Sequence, residues 1–191
     1  MEPSLSVSNL ACRRGDRLLF RGLSFALASG QALQVVGANG TGKSSLLRIV
    51  AGLLRPFAGT VAMSGDVALL DDRLPLDEHR PLGQALAFWS AIDQPHHAPG
   101  EAMGLAALLE VPVRFLSTGQ RKRAAYGIAN PWPAPIWLLD EPLNCLDTAF
   151  VEALIADLEF VRARGGIVLV ASHQPIALSG LQTLDLADYA P

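Results

Sequence analysis

The chain alternates between short apolar runs and longer stretches with helical spacing. Near its start, Leu5-Ser6-Val7, Leu18-Leu19-Phe20 and Leu23-Ser24-Phe25-Ala26-Leu27 have strand character, with Gly15-Asp16 and Ser29-Gly30 as turns between them. Leu33-Gln34-Val35-Val36 reads as a short buried strand. The run from Ser44 to Val50 reads as a helix with Leu46, Leu47 and Val50 on its apolar side. Pro56 and Gly59 end that unit, and Thr60–Met63 and Val67–Leu70 are further strands. Between Asp71 and Gly104 the composition shifts to Asp, Pro and His, with a helical patch over Leu82–Trp89. Residues 101–110 and 118–129 predict helices either side of Pro112. Ile136–Leu139 then reads as strand, Phe150–Arg164 as an amphipathic helix ended by Gly165-Gly166, and Ile167–Ala171 as strand. Strands separated by helices predict an α/β domain with a parallel sheet and helices on its faces.

The 191 residues suffice for one domain, 1–191, with a small helical subdomain at about 78–130. Half the residues are hydrophobic, and mean hydropathy is +0.30. No run approaches the ~18 apolar residues of a membrane span, and Met1-Glu2-Pro3-Ser4 does not open like a signal peptide. These features predict a cytosolic chain, and an apolar partner or a dense core would account for the hydropathy. The net charge of −3 gives no electrostatic footprint for nucleic acid. Cys12 and Cys145 read as free thiols acting as small core hydrophobes. His96-His97, between prolines, reads as a solvated turn, because no further Cys or His lies at ligand spacing.

Gly37-Ala38-Asn39-Gly40-Thr41-Gly42-Lys43-Ser44 fits the phosphate-binding pattern G-x-x-x-x-G-K-[ST] between a strand and a helix, with Ser45 continuing it. Its glycines let backbone N–H groups turn toward phosphate oxygens, and the helix N-terminus adds partial positive charge. Lys43 can reach the β- and γ-phosphates of ATP, and the Ser44 hydroxyl can ligate Mg²⁺. Lys43 is one of two lysines against thirteen arginines, placed where a flexible point charge suits phosphate. At the end of the Ile136–Leu139 strand stand Asp140 and Glu141. There an Asp can hold the same Mg²⁺, and a Glu can orient or deprotonate water. No Asn-Lys-x-Asp run marks a guanine reader. Leu116-Ser117-Thr118-Gly119-Gln120 precedes a helix, which Ser117 would cap, leaving N–H groups for an anion.

With the P-loop present, Leu116–Gln120 resembles the LSGGQ signature of ABC-type ATPases, with Thr118 at its third position. Asp147, in Asn144-Cys145-Leu146-Asp147, resembles the D-loop, and His173 stands 32 residues after Glu141, at the place of the family's γ-phosphate histidine. The order of motifs matches over nearly the whole chain. The resemblance implies an ABC nucleotide-binding domain with an N-terminal antiparallel β part. It also implies a head-to-tail dimer in which Lys43 of one copy and Ser117 of the other enclose one ATP. The stretches Cys12–Phe25, Gly37–Lys43, Gly165–Val168 and Ser172–Pro175 are similar to the haem-exporter ATP-binding subunits of cytochrome c maturation. That similarity implies a peripheral subunit on the cytoplasmic face of the bacterial inner membrane. Its partners would be a CcmB-type permease and other cytochrome c maturation components.

Two departures stand out. Asp71-Asp72 occupies the place where the family carries a glutamine, so that Asp72 is a candidate Mg²⁺ contact. Cys12-Arg13-Arg14 occupies the place of the adenine-stacking aromatic, so that Arg13 is a candidate adenine contact. Other readings stay open: an ABC subunit for a lipid or drug, a soluble ABC switch in DNA repair or translation, or a small-molecule kinase. The last leaves Leu116–Gln120 and His173 unexplained. Leu82, Leu86, Phe88 and Trp89 recur at helical spacing, and Leu86 or Trp89 is expected to be partly exposed and to dock the membrane partner.

Overall fold

The computed structural model describes residues 2–71, 73, 75–93, 103–129 and 135–191. Asp72 and His96-His97 lie outside the described residues.

Two sheets share the core. Strands β1 (Ser4–Arg14), β2 (Arg17–Leu27) and β4 (Ala58–Ser64) form an antiparallel sheet in the order β2-β1-β4. Strands β3 (Ala32–Val36), β5 (Val67–Leu70), β6 (Ile136–Asp140), β7 (Ile167–Ala171) and β8 (Gln182–Asp185) form a parallel sheet in the order β5-β6-β7-β3-β8. Strand β6 and strand β7 are apolar almost throughout because both faces of the parallel sheet are covered. Ile136, Leu138, Ile167 and Leu169 face a core shared with the antiparallel sheet and with helix α1 (Lys43–Val50). Trp137, Leu139, Val168 and Val170 face a second core, closed by helix α3 (Thr118–Ala129) and helix α4 (Thr148–Ala163). Alternate side chains point to opposite faces, so one continuous apolar run serves two cores. Burying Leu46, Leu47 and Val50 anchors α1 by roughly 1.5–3 kcal/mol per side chain.

A third apolar cluster holds the helical lobe together. Leu82, Ala85 and Leu86 of helix α2 (Leu82–Asp93) pack on Leu105, Val113, Leu116 and Ala124. The lobe departs from the sequence reading in two respects. In place of a helix over 101–110, the described part is a turn at Gly104 (φ +66°) and one 3-10 turn at Ala106–Leu108. Leu82 N–H and Gly83 N–H then donate to the carbonyls of Val111 and Leu109, which ties that segment to the start of α2. Leu86 is core, 3 % exposed, and so is not a docking residue. Trp89 is half-buried and donates its Nε1–H to the Pro75 carbonyl at 2.7 Å. The exposed member of the set is Phe88, at 58 %.

Cys12 follows its sequence reading as a core residue, whereas Cys145 is exposed. Cys145 sits in the turn before α4 with φ +64°, where its side chain leaves the core. Burial pushes the Cys12 thiol above its ordinary value, against smaller opposite pulls from the Ser45 hydroxyl and the Arg14 charge.

Candidate functional site

Three adjacent strands of the parallel sheet deliver the candidate residues to one edge. Strand β6, strand β7 and strand β3 lie side by side, and the loops at their C-terminal ends carry Asp140-Glu141, Ser172-His173 and the P-loop. This is the edge at which open α/β sheets take ligands.

The P-loop turns sharply into α1. Gly42 has φ +113°, and a Cβ there would stand 3.1 Å from the Phe20 ring. Glycine is required both by conformation and by space. Thr41 donates its N–H and its hydroxyl to the Ala38 carbonyl, at 3.3 and 2.9 Å. Lys43 is buried, 7 % exposed, and its ammonium donates to the carbonyls of Gly37 (2.7 Å) and Ala38 (3.3 Å). The charge is thus held at the centre of the loop by the ring of peptides it would share with phosphate. Ser44, Ser45, Asn39, Asp140 and Glu141 line the same cleft, whose volume is about 220 Å³.

Glu141 is constrained on every side. Its φ of +47° is left-handed, a conformation costing a non-glycine residue about 1–2 kcal/mol. The surroundings hold it there. Its N–H donates to the Ala171 carbonyl at 2.8 Å, and its carbonyl accepts from the Lys122 ammonium. Its Oε2 accepts from the Ser172 hydroxyl at 3.3 Å and lies 2.9 Å from His173 Nδ1. Strain maintained by so many contacts marks a fixed carboxylate, aimed at the cleft beside Lys43 and Ser44. His173 itself is exposed.

The Leu116–Gln120 segment is elsewhere. Leu116 is buried in the helical lobe. The Ser117 hydroxyl accepts the Gln120 N–H at 3.3 Å while Gln120 Oε1 accepts the Ser117 N–H at 2.8 Å, a reciprocal capping box at the start of α3. Gly119 abuts the Cys145 carbonyl so closely that a Cβ would overlap it. Leu116, Ser117 and Thr118 line a larger cavity of about 800 Å³ with Asp71, Arg73, Asn144 and Cys145. Within one chain, then, Ser117 does not line the cleft of Lys43. Asp147 caps α4 by accepting the Phe150 N–H at 2.9 Å and pairs with Arg123 of α3.

At the two departures the structure gives specific partners. Asp71 Oδ2 accepts from Arg48 Nε and Nη2, at 3.2 and 2.8 Å, which ties it to α1. The Arg13 guanidinium lies 4.7 Å from the centroid of the Phe57 ring.

Two residues escaped the sequence reading. Lys122, on α3, donates to the Glu141 carbonyl while lining the larger cavity with Ser117, and so links the two. Gln34 is a buried amide in an apolar strand, 5 % exposed, and binds the turn that carries His173. The signal for Gln34 was visible: a polar residue inside a four-residue apolar run must find partners.

The family model described as "ABC transporter" matches residues 20–144. A relative in Novosphingobium aromaticivorans, named cytochrome c biogenesis ATP-binding export protein CcmA, is 54% identical over 190 residues, covering 100% of this chain and 99% of its own. One of the same name in Zymomonas mobilis is 49% identical, covering 97% and 85%. A solved ATP-binding subunit of an ABC transporter superposes with a TM-score of 0.76 at 20% identity, over 88% of this chain and 79% of its own, a likeness of fold.

Proposed function

We propose, since this chain belongs to the ABC transporter family and within it to the cytochrome c biogenesis ATP-binding export proteins, that it is the ATP-hydrolysing subunit of a haem-exporter-type complex in c-type cytochrome biogenesis. The observation that carries the chemistry is the meeting of Lys43, Ser44, Asp140 and Glu141 in one cleft, with His173 against the Glu141 carboxylate.

In this reading the P-loop N–H groups and Lys43 bind the β- and γ-phosphates. Ser44 and Asp140, hard oxygen donors lining one cleft, suit Mg²⁺. That ion would supply charge neutralisation at the β- and γ-oxygens. Glu141 takes a proton from the water that attacks the γ-phosphorus. The bond to the β-bridging oxygen breaks, and ADP and phosphate leave. His173, held by Glu141, faces the γ-phosphate. The separation of Ser117 from the Lys43 cleft within one chain supports use of the signature by a second copy, to which Asp147, paired with Arg123 of the signature helix, would contribute the D-loop. Among the described residues no helix is long and apolar enough to cross a membrane. As the similarity to the cytochrome c biogenesis ATP-binding export proteins suggests, the power stroke would act on a separate permease of CcmB type. The site of action would be the cytoplasmic face of the bacterial inner membrane.

A strain lacking this gene should lose haem-stained c-type cytochromes and regain them with the wild-type chain. Full cytochrome content in the deletion strain would overturn the biogenesis role.

Of the two docking candidates Trp89 keeps its partial exposure, and we place the anchor at Trp89 together with the exposed Phe88 that meets it edge-on at 5.7 Å. Phe88→Ser is expected to leave melting temperature and basal ATPase unchanged while the protein moves from the membrane fraction to the supernatant. Retention on membranes with intact cytochrome assembly would place the docking surface elsewhere.

A further inference from the structure

Gln34 lies in the middle of β3, on the face where Ala32, Val170 and Ile176 form the apolar core against α4. An amide there loses its water and must be compensated by protein partners. Both N–H groups of Gln34 Nε2 are used: one donates to the Ser172 carbonyl at 3.2 Å and one to the Gln174 carbonyl at 2.7 Å. These carbonyls flank His173. The amide thus grips, from behind, the backbone that presents the histidine.

The grip continues across the site. Gln174 Nε2 donates to Asn144 Oδ1 at 3.0 Å, and the Asn144 N–H donates to the Glu141 carbonyl at 3.3 Å. On the other branch the Ser172 hydroxyl accepts the Gln174 N–H at 3.0 Å and donates to Glu141 Oε2 at 3.3 Å. The hydrogen bonds close into a ring that runs from Glu141 through Asn144 and Gln174 to Ser172 and back, with Gln34 as its buried anchor. Neither Gln34 nor Gln174 lines the cleft of Lys43 and Ser44.

We propose that Gln34 is a positioning residue for hydrolysis. Through Gln174 and Asn144 it fixes the His173 turn to the turn that follows Glu141, so that the two groups keep one mutual geometry. The inference rests on the hydrolysis reading above. Because the ring touches the carboxylate and the histidine rather than the phosphate cradle, its loss slows turnover without weakening ATP binding. The two turns act as one unit, so breaking the ring at either place has the same consequence.

The test uses the full chain and measures kcat, the equilibrium Kd for ATP and the melting temperature of Gln34→Leu, Gln174→Leu and the double variant. Leu keeps the approximate volume and removes the donors. Each single variant is expected to lower kcat by about tenfold, as misplacement of reacting groups does, with Kd for ATP within about twofold of wild type. The double variant should lose little more than either single one, because Gln34 anchors the same turn that Gln174 ties to Asn144, so the two substitutions disable one device. Losses that multiply, or a Kd that rises in step with the fall in kcat, overturn the proposal. If Gln34→Leu fails to fold, Gln174→Leu decides alone: its side chain is partly exposed and its backbone bonds to Gln34 remain. Wild-type turnover in Gln174→Leu overturns the proposal while leaving the ATPase reading intact. A wild-type chain that releases no phosphate from ATP overturns that reading itself, and the proposal with it.

Discussion

Lys43→Ala is expected to bind ATP at least a hundredfold more weakly than the wild-type chain. The ammonium is buried and already held at the centre of the P-loop by the Gly37 and Ala38 carbonyls. On ATP binding it would exchange part of that environment for phosphate oxygens. Hydrogen bonds to charged groups contribute about 1.5–3 kcal/mol each, so losing two costs roughly 3 kcal/mol or more, over a hundredfold in Kd. The remaining N–H groups of the loop and the α1 N-terminus cannot replace a full positive charge. Truncation also leaves the two carbonyls without their donor, so a modest fall in melting temperature accompanies the loss. Equilibrium titration with ATP, alongside circular dichroism to establish folding, decides the matter. A folded variant with near wild-type affinity would remove Lys43 from the site.

How much of this could be read from the chain differs by element. The P-loop and β6 were legible because each combines an apolar strand with chemistry-bearing residues at its C-terminal end, and the sheet brings those ends together. Strand β1 showed only Leu5-Ser6-Val7, although it runs to Arg14. Its pairing with β2 shifts register after Val7, Leu10 and Cys12, which breaks the alternation of buried and exposed positions. Strand β8, Gln182–Asp185, was missed altogether. It is four residues long and mostly exposed, and only its parallel pairing with β3 defines it. The helix read at 101–110 failed for the opposite reason: its apolar residues serve the lobe core from an irregular segment. Lys122 and the partners of Gln34 needed the fold, since each bond joins residues distant in sequence; only the buried polarity of Gln34 is legible in the chain.

Glu141→Gln is expected to bind ATP with unchanged affinity and to hydrolyse it some 10²–10⁴-fold more slowly, the usual contribution of a positioned general base. The substitution isolates the proton acceptor. Glutamine has the same length and the same backbone demands, so the left-handed conformation at φ +47° is neither relieved nor worsened. Its amide oxygen can still accept the Ser172 hydroxyl, and the bonds of its main chain to Ala171 and Lys122 do not involve the side chain. What disappears is the negative charge that, in the proposed reading, takes a proton from water, and with it the carboxylate oxygen beside His173 Nδ1. With hydrolysis blocked and binding intact, ATP would persist between two copies in the proposed sandwich. The variant should therefore run as a dimer on size-exclusion chromatography with ATP and as a monomer without it. Single-turnover phosphate release on the same material separates the alternatives. Unchanged release would assign the base elsewhere, with His173 the first group to substitute. Slow release without dimerisation would keep Glu141 as the base and remove the head-to-tail sandwich from the mechanism.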